Sequence, residues 1–188
     1  KEQLKTLSVV CETYARIRMG QFREIIWRTL SMRHETEDYC QRRDLAEEYL
    51  LKARRYIYPE LFGIGHSYGI GNDKVADFEY DMHQATRSHL GKYVESFSYY
   101  QIPKLIAKTD GFIFYLDEEH LNVLADAAWY YYRICNGYFE DVIKICTVEK
   151  MKPALDYLNL AKEQVITDKT DPANDALELY KIVKELQA

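Results

Sequence analysis

Acids placed where water is scarce are the first candidates for chemistry. Asp126 lies in Asn122-Val123-Leu124-Ala125-Asp126-Ala127-Ala128-Trp129-Tyr130, an apolar helical run that continues through Tyr131, Tyr132 and Ile134. A carboxylate carried inward by such a run must be hydrogen-bonded, paired or metal-bound. Two readings of Asp126 stay open: a hydrogen-bonded core aspartate, or one ligand of a metal site. The stretch Asp77-Phe78-Glu79-Tyr80-Asp81-Met82-His83 offers a second group. On a helix Asp77 neighbours Asp81, and Glu79 neighbours His83. The two pairs point apart and make no single site. With Arg87 one turn after His83, the pattern predicts a solvated face laced by salt bridges.

Positive charge gathers early, in Arg16, Arg18, Arg23, Arg28 and Arg33. Arg16 and Arg23 are seven apart and share a helical face if Gly20 leaves the path straight. Interleaved with Tyr14, Phe22 and Trp27, they suit phosphates or an acidic partner. Internal pairing with Glu12, Glu24 and the acidic C-terminal part would satisfy them equally. Residues 63–71 then contain four glycines. A phosphate-binding loop needs a strand before it, and a helix precedes this one. Ser67, beside His66, reads as a turn residue rather than a nucleophile, in the absence of a nucleophile elbow. His34, His66, His83, His89 and His120 show no metal-ligand spacing. Cys11, Cys40, Cys135 and Cys146 form no C-x-x-C pair and read as reduced thiols in a cytoplasmic protein.

These residues must be positioned by helices. Apolar residues recur at three and four through 4–18, from Phe22 to Leu30, from Leu45 to Ile57, and from Val75 to His89. Ser31 to Arg43 is polar, a loop or a solvated continuation of a helix. Pro59 closes the third helix, Asn72 or Asp73 caps the fourth, and Gly91 ends it. Residues 92–109 are broken by Pro103, Asp110-Gly111 marks a turn, and Phe112 to Leu116 reads as a strand or as the lead into a helix. Further helices follow at 118–135, capped by Asp117 and stopped by Asn136-Gly137, then at 138–146, 149–165 and 172–187, the last capped by Asp171. The expectation is an all-α, compact bundle of seven to nine helices without a convincing sheet. It is read as one domain over 1–188, with 61–73 the alternative place for a boundary.

Composition agrees. Eight glycines and four prolines are too few for many short strands and turns. A hydrophobic share of 47% supports a core without staples. The formal net charge of −5 gives no electrostatic reason to expect nucleic-acid binding. No apolar run reaches the roughly 18–20 residues a membrane helix needs, and no charged-then-apolar leader opens the chain. Residues 1–58 hold 12 basic and nine acidic side chains, and residues 59–188 hold 13 and 21, so the two parts attract. Seventeen tyrosines suit either interfaces or the rim of a wide core.

Two resemblances add to this. Tyr14-Ala15-Arg16-Ile17-Arg18-Met19-Gly20-Gln21-Phe22, then Tyr58-Pro59-Glu60-Leu61, Ser67-Tyr68-Gly69-Ile70, and Asp81, Gln84, Arg87 and Leu90 at three-residue steps resemble small helical proteins encoded by phages and prophages of Gram-positive bacteria. No activity is attached to that group. It implies a bacterial cytoplasmic setting and points to the Tyr68-Gly69-Ile70 loop between two helices as the place to look for a ligand. The segment around Asp126, with Trp129-Tyr130, Glu140-Asp141 and Glu149-Lys150 downstream, resembles the final helices of MazG-type all-α nucleoside triphosphate pyrophosphohydrolases over about 35 residues. That resemblance implies a Mg²⁺ site including Asp126. It departs from the family pattern at Val123, where a glutamate is expected, and no upstream pair of carboxylates matches clearly.

Together these lead to a non-enzymatic interaction protein with no cofactor, binding a protein partner or a second copy of itself. Its candidate contacts are Arg16, Arg23, Ser67, Tyr68, Asp81, Arg87, Trp129 and Tyr130. The alternative is a MazG-like nucleotide-binding protein or Mg²⁺-dependent pyrophosphohydrolase with Asp126 in a degenerate metal site.

Overall fold

In a computed structural model, residues 2–29, 37–61, 67–68, 71–89, 106–108, 111–113, 116–146, 151–165 and 171–188 are described. Several sequence features lie outside them: Leu30 to Thr36, most of the glycine-rich segment, residues 90–105 with Gly91 and Pro103, and Glu149-Lys150. Eight helices carry the described fold: α1 (Glu2–Arg18), α2 (Arg23–Thr29), α3 (Glu37–Ile57), α4 (Lys74–His89), α5 (Glu118–Cys135), α6 (Asp141–Ile145), α7 (Lys152–Glu163) and α8 (Asp171–Leu186). The class is all-α. A minor antiparallel hairpin joins β1 (Ile106–Lys108) to β2 (Gly111–Ile113), with Ala107 opposite Phe112. Gly111 opens β2, Asp110 lies outside the described residues, and the strand reading of Phe112 holds as far as Ile113.

The helix boundaries follow local chemistry. Asp73 accepts from the backbone N–H groups of Val75 and Ala76 at 2.9 and 3.0 Å, capping α4. Asp117 accepts from His120 N–H at 2.9 Å and caps α5. At the far end of α5, Gly137 with φ 81° closes a Schellman turn, its N–H and that of Tyr138 bonding to Ile134 and Arg133 carbonyls. Helix α3 stops at Ile57, two residues before Pro59, and starts earlier than its apolar stripe. The polar stretch before Leu45 is therefore partly a solvated helix.

Helix α1 is the hub. From Leu4 to Phe22 no residue is exposed. It packs against α4 most extensively, and also against α5, α8, α2 and α6, while α5 lies along α8 and α3 along α7. Its apolar side, Leu7, Val10, Cys11, Tyr14 and Ile17, enters one continuous buried cluster with Leu50 and Ala53 of α3, Ala127, Ala128 and Ile134 of α5, Leu158 and Ala161 of α7 and Ala176 and Val183 of α8. That cluster draws on helices from both sides of the glycine-rich segment. A small second cluster, Ala15, Met19 and Ala76, fills the space between α1 and α4.

The stripes differ from the expected ones in detail. The buried face of α3 is Ala46, Leu50, Ala53, Arg54 and Ile57, while Leu45 and Tyr49 are only partly covered and Tyr56 is exposed. Alanines spaced along α3 and α7 permit close packing, and this turns the tyrosines to the rim. Leu7 is buried in the main cluster. Leu7→Asp would place an unpaired charge there and should cost roughly 3–5 kcal/mol. A denaturant melt checks this, and a midpoint equal to the parent's would show that the Leu7 face of α1 is not the core face.

Candidate functional site

The functional geometry begins where α1 ends. Gly20 adopts φ 81°, donating to the Ile17 carbonyl while Gln21 N–H reaches Arg16 O at 2.8 Å, the paired bonds of a Schellman turn. The positive φ strains any larger residue at Gly20, and a Cβ there would stand 2.5 Å from Leu61 Cδ1 and displace that methyl. This turn redirects the chain into α2 and leaves Gln21, Phe22 and Arg23 along one wall of a cleft. The opposite wall is α3, with Glu47, Leu50, Leu51 and Arg54.

The segment after α3 folds over the same turn. Tyr58 donates its hydroxyl to Arg18 O at 2.8 Å, and Tyr68 N–H bonds to Met19 O at 2.9 Å. Tyr68 and Tyr58 meet edge to face with centroids 5.2 Å apart. Ser67 is thereby held over the cleft, where its Oγ accepts from Gln21 Nε2 at 3.1 Å. The cleft encloses about 350 Å³. Trp27 stands at its rim, 61% exposed, and also borders a shallower hollow of about 360 Å³ next to Tyr131 and Pro172.

The charges are organised around Glu12. Arg16 reaches it through two nitrogens at 3.0 and 2.9 Å, and Arg28 through Nη2 at 3.0 Å. Glu24 lies 3.6 Å from Arg16 and 3.4 Å from Arg28, closing a four-membered ring of charge. Burial opposes ionisation of Glu12, but His83 when protonated, together with Arg16 and Arg28, outweighs it and holds the carboxyl below its ordinary value. For Glu24 burial wins over the same arginines and the carboxyl is raised. Arg16 also donates to Gln21 Oε1 at 2.9 Å, which orients that amide toward Ser67. Arg23 meets Glu47 across the mouth at 3.0 Å. Arg54, buried, donates to the carbonyls of Gly20 and Leu61 at 3.4 Å, and burial lowers its pKa.

Behind the cleft runs a polar seam between α1 and α4. His83 Nδ1 stands 2.9 Å from Ser8 O and 3.0 Å from Ser8 Oγ. A carbonyl only accepts, so Nδ1 carries the proton. Nε2, bare in the neutral ring, accepts from Arg87 Nη1 at 3.1 Å. Burial favours this neutral form and lowers the His83 pKa. One turn earlier Glu79 is fully buried, and neither carboxyl oxygen has a hydrogen-bond partner. Burial pushes Glu79 up to about 8, against the opposing effects of the Cys11 thiol and Arg18, and Asp126 adds to the rise. Glu79 therefore sits in the fold as a neutral acid at pH 7.

Three expected contacts, Arg16, Arg23 and Ser67, come together in the cleft. Tyr68 packs behind it as a support against Ala15, Met19 and Ala76. Asp81 is half-buried on α4, raised by burial and by Asp77, and Arg87 serves His83. Trp129 meets Tyr132 and Tyr180 in tilted ring contacts at 5.6 and 5.3 Å, and Tyr130 stacks on Tyr14 at 6.3 Å, so both belong to helix contacts of α5.

Two expectations need correction. Asp126 does not face the interior: the residue is exposed, its carboxyl raised by partial burial against the opposing Lys184 charge, because α5 turns Ala125, Ala127 and Ala128 inward beside it. Glu79 and His83 are not on a solvated face; they form the buried side of α4 with Ala76 and Thr86. Among the described residues no three His, Cys, Asp or Glu side chains stand close enough to share a metal ion. Among the described residues, none joins Asp126 to complete the Mg²⁺ site that the pyrophosphohydrolase resemblance implies. Sequence reasoning missed Leu51, Glu47 and Arg54 as cleft residues; only the pairing of α3 with α2 reveals them.

No family model, curated protein or solved structure matches the chain, and the two resemblances rest on the residues quoted for them. No described helix is long and apolar enough to cross a membrane.

The neutral Glu79 makes stability depend on pH. Its folded pKa lies above the ordinary value of 4.5, so its favourable contribution is complete below that value and is lost as pH rises through about 8. Glu79→Gln keeps the shape without the proton. It should match the parent near pH 4 and exceed it by a few kcal/mol near pH 8.5. Denaturant titrations at the two pH values check this; parallel pH profiles would show that Glu79 is not buried as a neutral acid.

Proposed function

We propose that the chain is a non-enzymatic binding protein that receives an anionic group of its ligand or partner in the cleft between α1, α2 and α3. The observation that carries this is the convergence of Arg16, Arg23 and Ser67, from three separate segments, beside a tryptophan left largely in water. Arginine N–H groups favour carboxylate and phosphate oxygens. Concave sites with a few converging polar groups on apolar walls are where ligands bind. The phage or prophage setting belongs to this reading on the strength of the motifs in residues 14–90 alone.

The test has two arms. With a mixture of organic anions or an acidic peptide, the Trp27 indole and Arg23 side-chain resonances should shift saturably, while chloride at equal ionic strength leaves them in place. With nucleoside triphosphates and Mg²⁺ no product should form. Mg²⁺-dependent pyrophosphate release that disappears in Asp126→Asn would overturn the reading in favour of the enzyme, as would anion-induced shifts that all lie away from the cleft.

Self-association is favoured by a separate observation. Tyr157 of α7 lies between Tyr49 and Tyr56 of α3, with centroids 6.4 and 6.1 Å away, and Lys52 stands 5.7 Å from its ring. Tyr56 is 44% exposed at the edge of this ladder. Flat aromatic surfaces of this kind suit a contact between copies. Sedimentation should then show a concentration-dependent dimer that Tyr56→Ala weakens; a monomer at all concentrations would remove this second reading.

A further inference from the structure

Resting on the binding reading above, we infer that the cleft takes a small aromatic anion bearing one negative charge, such as an aryl carboxylate. Size is the first argument. A cavity of about 350 Å³ lies at the low end of the roughly 300–1,000 Å³ of small-molecule sites. It holds a ring system with a head group, and it is too small for a helix or a paired strand.

The walls set the body of the ligand. Phe22 is buried at the floor and Leu51 lies on the α3 side, while the Trp27 indole stands at the rim with most of its surface in water. An indole left exposed beside an apolar floor gains most from a flat partner that covers its face. A saturated or fully polar ligand would leave that surface wet.

The charges set the head group. The lining holds three cations, Arg16, Arg23 and Arg54, and two anions, Glu24 and Glu47. Arg16 is already held by Glu12 and Glu24, so the donors left for a head group are those of Arg23 and Ser67, which suit a single negative charge. A second would face the two glutamates. The donors match a carboxylate. Arg23 is 59% exposed and engages Glu47 through Nε, which leaves its terminal N–H groups at the cleft mouth. Ser67 Oγ already accepts from Gln21, so its own O–H is free to donate.

Calorimetry combined with the Trp27 indole N–H resonance tests the inference on the intact chain. The probes are 2-naphthoate, its neutral counterpart 2-naphthalenemethanol, acetate, and 2-naphthyl phosphate. Naphthoate should bind with the indole resonance shifted, about tenfold tighter than each of the other three. Arg23→Gln and Trp27→Ala should each weaken it about tenfold. Both side chains are largely exposed, so unchanged helical dichroism shows that the variants stay folded. Equal binding of the alcohol would remove the role of charge. Equal binding of acetate would remove the role of the ring. Tighter binding of the aryl phosphate would overturn the single-charge assignment, and naphthoate binding unaffected by both variants would place it elsewhere. If acetate or the aryl phosphate occupies the cleft as well as naphthoate does, the inference falls and the binding reading stands. If none of the four moves the Trp27 resonance, both fall.

Discussion

Helix α1 is enclosed on every side yet carries Ser8, Glu12, Arg16 and Arg18 within its covered length, and the rest of the structure is arranged around satisfying them. A buried charge without a partner costs several kcal/mol, far more than a missing methyl contact. Helices α2, α4 and α6 therefore bring complements to α1. Helix α2 brings Arg28 and Glu24 to Glu12 and Arg16, α4 brings His83 to Ser8, and Asp73 at the start of α4 meets Arg18 at 2.7 Å. Arg18 also donates to Ile145 O at 2.7 Å, tying the end of α6 to the same helix. The apolar cluster supplies the driving force for collapse, and these pairings determine which helix lies against which side of α1.

The cleft follows from that arrangement. Because Glu12 and Glu24 hold Arg16 toward α2, and Gln21 relays the orientation to Ser67, its polar groups are set before any ligand arrives. Preorganised donors lose little freedom on binding. The Schellman turn at Gly20 is the geometric condition for all of it, since it alone brings the end of α1, the start of α2 and the Leu61 side chain into one place.

Glu79 stands apart from this pattern of pairs. Both its oxygens lack hydrogen bonds, and the helix holds it against the Cys11 thiol. Among the described residues the other fully buried acid, Asp141, is paired with both Arg133 and Lys144 at the junction of α5 and α6. The contrast shows two ways of burying a carboxyl: neutralise it with cations, or keep its proton.

Helix positions, the caps at Asp73 and Asp117 and the stop at Gly137 were legible in the sequence because they depend on residues within one turn of each other: a side-chain acceptor before the first turn, apolar residues three and four apart, a glycine where φ is positive. The faces were legible only in part. On α4, Val75 and Phe78 are the more apolar residues, and periodicity turns them inward; yet Ala76, Glu79, His83 and Thr86 face α1, because Ser8, Cys11 and Ala15 opposite are small enough for close approach and polar enough to meet a histidine. On α5, an acid in an apolar run reads as interior, but a run of alanines and tyrosines leaves one edge of the helix in solvent, and Asp126 occupies it. Arg16 and Arg23 were visible as a basic face, whereas Leu51 and Arg54 became cleft residues only once α3 lay beside α2. The sequence by itself determined where the chain coils, since coiling is a contest among near neighbours. Tertiary structure decided which polar groups are buried and which arginines share a cavity, since burial is a property of the surface that arrives from elsewhere in the chain.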